Sequence, residues 1–532
     1  MVGESASQRC FGMGTDSRTD DADLGGPLLS KLLQPAVLSP AVVAESDRVA
    51  EPHIGRSALA KGFAWNAAFG VLSKVIFPLA GLYIVRTLGP QLLGIAALLQ
   101  MTLSLSEVLR EAGLTQTYLA EKSLTEELDA TYVGASILSG LIPSVGVLLL
   151  TPYLTGFFNQ PELLWSLPFV SACLFMNGIG SIPNARLLKK ADFKGQGSIA
   201  VTASGLALAV TSVLVALGVR FPALVVQFSV GATINLILSL RREPITRATF
   251  RLAPMKPIIR RTRALAGANL LNNLFLYCDV FVLKKMIGTV AAGLYNTTQV
   301  IAYKPIDLIL FPLNKTLMVS FSQAKHDQAR LKDAYWRALT GVVLLILPLY
   351  SFMALNADGI ILLLLSKQFE GGIPILRVLC VYLACRTIGN TSGVALVPAQ
   401  KHHWTVYPWA VALAVTAAGI GLNSRNPTTM GIVWSFTAGA VTVYTLTFLV
   451  AVHFIPPNRL LLRRFLTAVA VTLGTSLVLL IPHFFGMPVY VRLVLSAVFI
   501  PIIHFSLAGL AFEKNPAAYL SRNGVRKLWH RL

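Results

Sequence analysis

Between about Gly62 and Phe512 the chain is a train of apolar stretches separated by short polar gaps. A bilayer core is crossed by a helix of about 20 largely apolar residues. Fourteen stretches meet that length: 62–85, 91–112, 130–151, 164–183, 197–217, 222–240, 265–286, 294–318, 338–356, 373–398, 406–422, 429–453, 463–482 and 488–511. The apolar piece at 359–365 is too short to span and is expected to cap an outer loop. Pro78, Pro143, Pro168, Pro305, Pro312, Pro348 and Pro374 fall inside spans. Each removes a backbone bond, so kinks are expected wherever neighbours or water re-satisfy the freed carbonyl.

The polar gaps alternate in charge. The fourth holds Arg186, Lys189, Lys190 and Lys194; the sixth holds eight basic residues from Arg241 to Arg263; the eighth holds Lys325, Arg330, Lys332 and Arg337. The third gap has no Lys or Arg, and the fifth has only Arg220. Basic loops stay on the cytoplasmic side because carrying them across the membrane is unfavourable. The pattern predicts an even number of spans with both termini in the cytoplasm. The longest gap, 241–264, leaves no place for an inserted soluble catalytic domain.

Composition agrees with that reading. Hydrophobic residues are 55% of 532 and charged residues 13%, where soluble domains carry about 25% charged residues. The net charge of +21 could point to nucleic acid, but residues 1–56 carry five Lys/Arg against eight Asp/Glu, so the apolar body holds the whole excess. It lies in alternate loops and in the tail (Lys514, Arg522, Arg526, Lys527, Arg531), where it sets topology and meets anionic membrane lipids; nucleic acid is excluded as a partner on that ground. Residues 1–56 have no secretory-signal pattern and little periodicity, and are expected to be a disordered cytoplasmic tail. Cys10, Cys173, Cys278, Cys380 and Cys385 form no CxxC pair, and His402 and His403 sit in a short inner loop, so neither metal nor disulfide is expected. No Walker loop is present, and Gly178-Ile-Gly180 lies inside a span rather than after a strand.

Ionisable groups inside a bilayer are costly and normally face a lumen or a partner. Asn66 and Lys74 share one face of the first span, and Gln100, Ser104, Glu107 and Glu111 form a stripe on the second. The seventh span carries Asn269, Asn272, Asn273 and Asp279; the eighth carries Asn296, Gln299, Tyr303 and Asp307; the tenth carries Arg386 and Asn390. Two accounts stand. The groups glue helices together, as Lys304 with Asp307 would at i,i+3; or, since several helices carry a one-sided polar stripe, they line a wet central cavity. A faint repeat favours two related halves: Arg86, Gly89 and Gly94 recur at a shift of 199 as Lys285, Gly288 and Gly293. Both helices start on the cytoplasmic side, so the repeat is parallel.

Several short motifs fall in a familiar order. They are Arg86-Thr-Leu-Gly89-Pro90 with Gly94, Gly113-Leu-Thr-Gln116 with Leu124-Thr-Glu-Glu127, Phe158 with Pro161-Glu162-Leu163, and Asp192-Phe193-Lys194. The second half adds Asp279 with Gly288, Gly293-Leu-Tyr295 and Pro305, then Phe369-Glu370-Gly371 with Pro374-Ile-Leu-Arg377. Over roughly 58–400 the chain resembles the polysaccharide transporter family of oligosaccharide flippases, in the MOP (multidrug/oligosaccharidyl-lipid/polysaccharide) superfamily. The doublet Lys284-Lys285 departs from the single basic residue expected there.

The resemblance implies an all-α polytopic protein with about fourteen helices in two pseudo-symmetric lobes around a central cavity, working by alternating access. It implies a non-enzyme with no cofactor, in the bacterial inner membrane. Its substrate would be a polyprenyl-diphosphate-linked oligosaccharide flipped for exopolysaccharide, capsule or O-antigen assembly, with a polymerase and export machinery as partners. Expected divisions are 1–56, a first lobe at 57–240, a basic linker at 241–264, a second lobe at 265–455, two added helices at 456–511 and a basic tail at 512–532. A diphosphate calls for cations in a low-dielectric cavity, and sugars call for amide partners. Lys74, Lys304 and Arg386 are the diphosphate candidates; Asn269, Asn272, Asn273, Asn296 and Gln299 are the sugar candidates; Asp279 and Asp307 are candidates for proton coupling. A lipid II-type flippase and a drug/cation antiporter of the MATE kind remain the alternative readings.

Overall fold

The computed structural model describes residues 56–512, apart from 112, 122–123, 191, 251–254, 256, 259–276 and 325–326. Met1–Leu59 and Ala60–Leu532 are separate units, and the architecture below is that of the second. Among the described residues there is no strand, ten helices are long and apolar enough to cross a membrane, and Val406–Leu422 is a shorter apolar helix. The chain is an all-helical, multi-pass membrane protein.

In chain order the first half comprises α1 (Arg56–Glu111), α2 (Leu114–Ala120), α3 (Glu126–Phe158), α4 (Glu162–Lys189), α5 (Phe193–Ala216) and α6 (Phe221–Arg242). The second half begins with α7, of which 277–286 is described. It continues with α8 (Thr289–Ala302), a π-helical turn at Ile306–Leu310, α9 (Phe311–Gln323), α10 (Gln328–Leu355) and α11 (Ala357–Leu364). The remainder is α12 (Gly372–Leu396), α13 (Val406–Leu422), α14 (Thr429–Phe454), α15 (Arg459–Val478), α16 (Ile481–Phe484) and α17 (Val489–Phe512).

The spans at 62–85 and 91–112 are the two segments of α1, which meet at a kink at Gly89, whose φ of 76° is open to glycine at little steric cost. One boundary differs from the sequence expectation. The span expected at 294–318 is three pieces, because Pro305 and Pro312 each withhold an N–H and the ladder re-registers through the π turn between them. Elsewhere the starts follow local chemistry. The side chains of Thr125, Asp192, Asp327, Thr428 and Asn458 each accept a bond from a backbone N–H three residues on, capping α3, α5, α10, α14 and α15.

Within the first half, α3 crosses α4 where Gly140 meets Gly178; a Cβ on Gly178 would lie 2.7 Å from the Gly140 Cα. Ser136 Oγ donates to the Gly178 carbonyl at 3.0 Å, and the hydroxyls of Ser144 and Ser171 meet at 2.7 Å. Small residues and hydroxyls of this kind draw helices together where lipid removes any hydrophobic drive between them. In the second half α12 is the central element, packed against α8, α10 and α14. It is also the most enclosed span: 61% of its apolar window is buried, against 22–50% for the others. A polar side chain on α12 therefore tends to face protein.

Candidate functional site

Arg386 lies in the middle of α12 with 8% of its surface exposed. Tyr382 is one turn earlier on the same face, and its hydroxyl accepts a bond from the guanidinium at 2.6 Å. The same nitrogen donates to the Tyr303 hydroxyl, just beyond the end of α8, and the two hydroxyls are 2.6 Å apart. The guanidinium carbon sits 4.9 Å from the Tyr303 ring centre, 5.8 Å from Tyr444 and 6.0 Å from Tyr382. Tyr444 reaches this box because Gly389 has no side chain: a Cβ there would lie 2.6 Å from the Tyr444 Cβ. Arg386 Nε is buried without a hydrogen-bond partner, and among the described residues no carboxylate lies within ion-pair distance of this side chain. Aromatic faces and phenol oxygens supply part of the solvation a buried cation loses, but not a counter-charge.

A cavity of about 1030 Å³ opens beside Arg386, lined also by Asn314, Asn390, Trp409, Tyr444 and Thr447. Asn390 is the next residue along the Arg386 face, and Asn314 Oδ1 is buried with no partner. The cavity thus offers a guanidinium, two amides and aromatic rings together. The sequence reading missed Asn314, Trp409, Tyr382 and Tyr444. The Tyr382–Arg386–Asn390 spacing of four was a visible signal for Tyr382; the other three come from separate helices, and no local pattern announces them.

Asp279 is 5% exposed and fully engaged. Its carboxylate accepts from the Tyr295 hydroxyl at 2.6 Å, from Gln299 Nε2 at 3.1 Å and from the Val280 N–H at 2.7 Å. Its burial keeps Asp279 away from bulk solvent. A cavity of about 20 Å³, the size of a single water, lies between Asp279 and the Tyr303–Tyr382 pair. Tyr295, Gln299 and Tyr303 repeat every four residues, so one face of α8 carries a polar line from Asp279 to Arg386.

The remaining candidates are distributed. Lys304 is exposed and shares a different cavity, about 690 Å³, with Asp307, Gln227, Ser204 and Phe77. Lys304 and Arg386 therefore line separate spaces. Gln299 is committed to Asp279, whereas Asn296 is half-buried and lies off the Tyr295–Gln299–Tyr303 line, on the face of Thr289 and Gly293. The Lys74 side chain and Asn269, Asn272 and Asn273 lie outside the described residues. In the first half, Gln100, Ser104, Glu107 and Glu111 line one cavity of about 420 Å³, as their spacing predicts. Glu107 has partners on both oxygens: Arg110 Nε meets it at 2.5 Å, and Asn177 donates to the other oxygen.

Comparison with known proteins gives a consistent set. The family described as "Polysaccharide biosynthesis protein" matches residues 83–374. The lipopolysaccharide biosynthesis protein WzxC of Escherichia coli (strain K12) is 21% identical over 63% of this chain and 69% of its own. The succinoglycan biosynthesis transport protein ExoT of Rhizobium meliloti (strain 1021) is 21% identical over 68% and 74%. Among solved structures, the lipid II flippase MurJ in an inward-closed conformation superposes with a TM-score of 0.69 at 11% identity, covering 84% of this chain and 98% of MurJ. An inward-facing MATE-family multidrug transporter of the MOP superfamily gives 0.58 at 16% identity, over 72% and 94%. At these identities the two structures establish the fold.

Proposed function

This chain belongs to the polysaccharide biosynthesis protein family, and from that premise we propose that it flips polyprenyl-diphosphate-linked oligosaccharides across the bacterial inner membrane by alternating access. One observation carries the reading: Arg386 is a buried guanidinium with an unpartnered Nε and no described carboxylate beside it, set on a cavity of about 1030 Å³. A buried cation is costly unless something negative completes it. A diphosphate does so with bidentate geometry, and the amides of Asn314 and Asn390 stand where sugar hydroxyls need partners. The polyprenyl chain stays in lipid. Lys304, in its own cavity, takes the role of an entry cation, and Lys74 remains a candidate by its place in the sequence.

The proposal includes fourteen spans in two lobes, with 57–240 and 265–455 as the lobes, 456–511 as an addition and both termini in the cytoplasm. The alternation of basic loops and the repeat at a shift of 199 support it. Export partners and the coupling role of Asp279 and Asp307 belong to the same reading.

The test is export in cells that depend on this chain. Arg386→Ala should reduce export of the surface polysaccharide about tenfold to a hundredfold, since a charge-assisted bond contributes roughly 1.5–3 kcal/mol. Lipid-linked units should accumulate while the protein level in the membrane is unchanged. Normal export by a well-inserted Arg386→Ala protein would remove the residue from the site. The chain should also fail to replace a depleted lipid II flippase; rescue there would turn the substrate assignment toward peptidoglycan precursors.

A further inference from the structure

The two repeated elements noted in the sequence meet each other. Gly94 on α1 lies against the backbone of Thr289 on α8, so close that a Cβ on Gly94 would overlap the Thr289 carbonyl. Gly293 on α8 lies in the same way against Pro90 on α1, and a Cβ there would overlap the Pro90 carbonyl. The shift of 199 that relates Gly94 to Gly293 also relates Pro90 to Thr289. The contact is therefore reciprocal, as at a two-fold interface. Each element turns into this crossing through a glycine with positive φ, 76° at Gly89 and 132° at Gly288.

The cations three residues before those glycines are reciprocal too. Arg86 Nε donates to the Leu364 carbonyl at 2.8 Å, and another of its nitrogens donates to Leu363. Those carbonyls end α11, in the second half. Lys285 Nζ donates to the Phe157 carbonyl at 2.9 Å, at the end of α3 in the first half, and stands 3.9 Å from the Phe157 ring centre. Each half thus supplies a cation to the unsatisfied carbonyls of a helix end in the other, where the helix dipole also favours positive charge. Gln160 Nε2 donates to Thr289 Oγ1 at 3.2 Å, and Gln368 sits against Gly89 from the opposite side. Phe281 fills the space between with Phe157 and Phe158, at 5.6 and 5.4 Å between ring centres. The Lys284-Lys285 doublet is resolved by this geometry: Lys285 reaches across the halves, while Lys284 is buried and donates to Thr289 Oγ1 at 2.7 Å.

We propose that Arg86, Gly89 and Gly94 with Lys285, Gly288 and Gly293 form a two-fold latch that shuts the outer end of the transport path. Outer here means the end away from the basic loops, and the assignment rests on the transport reading above. Backbone-to-backbone packing through glycine is tight but made of few contacts. Exposed cations on helix ends can exchange their carbonyls for water or lipid phosphate when the halves part. The latch is a discrete contact that is either made or lost.

The test reads accessibility, so it needs no substrate and stands apart from the export assay. In a chain without native cysteines, Asn296→Cys places a thiol on the latch-facing side of α8, one turn inward of Gly293. In the parent it should react slowly with a membrane-impermeant maleimide applied from outside. Adding Gly293→Ala, which leaves no room for the crossing, should raise that rate several-fold. Arg86→Gln with Lys285→Gln should do the same, and because both side chains are exposed, the double change should spare folding. An unchanged rate in the double variant overturns the latch, whatever happens to Gly293→Ala. In a second arm, oxidation of a Gln160→Cys, Thr289→Cys pair should stop export, and reduction should restore it. Full export with the pair joined would show that this end never opens, and would overturn the proposal while leaving the substrate assignment in place.

Discussion

At Arg386 the decisive quantity is how the cation is held. Three tyrosines surround it, two of them bonded through their hydroxyls, so the guanidinium is oriented before any substrate arrives. Pre-orientation lowers the entropic cost of binding. Arg386→Lys keeps a charge but loses the fork, and should retain part of the export that Arg386→Ala loses. Tyr382→Phe removes one hydroxyl and keeps the ring; export should fall several-fold with the protein level unchanged, measured against the parent in the same cells. Asp279 is a different case, since every bond it receives comes from a neutral donor. If it exchanges a proton as the cavity alternates, Asp279→Asn should slow export under a normal proton gradient while the cavity geometry persists. Full export by Asp279→Asn and by Asp307→Asn would remove both from coupling.

At the scale of elements, the second half is organised by crossings that admit no larger side chain. Gly389 lets α14 approach α12 closely enough for Tyr444 to enter the arginine box. Gly389→Val forces those helices apart; overpacking of this kind costs about 1–3 kcal/mol. It should lower the unfolding temperature in detergent and reduce export together. The last two long helices are fastened by polar contacts instead. His504 lies between Thr475 at 2.9 Å and the Leu344 carbonyl at 2.8 Å, joining α17, α15 and α10. Bonds between membrane helices average well under 2 kcal/mol. His504→Leu should therefore cost about 1 kcal/mol in the same unfolding measurement and leave export nearly intact, because neither His504 nor its two partners line the cavity beside Arg386.

For the whole molecule, the basic loops make structural contacts of their own. Arg186 bonds Asp129 and the Pro244 carbonyl, Lys190 pairs with Glu243 at 2.6 Å, and Arg242 meets Asp192 at 3.2 Å. The chain after α6 lies along α3, with Thr249 N–H on the Ala130 carbonyl at 2.9 Å. Arg247, by contrast, meets Glu126 at 3.8 Å with both side chains largely exposed, a pairing of little energetic consequence. Arg247→Ala should leave protein level and export unchanged. Thiols placed at Ser322 or in the 241–250 segment of a cysteine-free chain should resist impermeant reagents added from outside. Strong labelling at Ser322 would reverse the orientation and, with it, the side on which the latch lies.

Apolar length and loop charge were enough to define the membrane class and to place most of the described long helices, because each of these acts within a span or across one loop. Asp192 and Thr125 cap their helices with bonds three residues long, and hydrocarbon leaves the backbone of an apolar stretch no alternative to helix. The repeat of Arg86, Gly89 and Gly94 was visible as well, but only as a spacing. That the two copies touch each other, and that each cation reaches the opposite half, is a property of how separate helices pack. The same holds for the site. The sequence marked Arg386 as a buried charge in need of a partner; Tyr303, Tyr444 and Asn314 come to it from three other helical segments, and Lys304 is turned to another cavity. Periodicity states which face of its own helix a residue occupies, and only packing decides what that face meets.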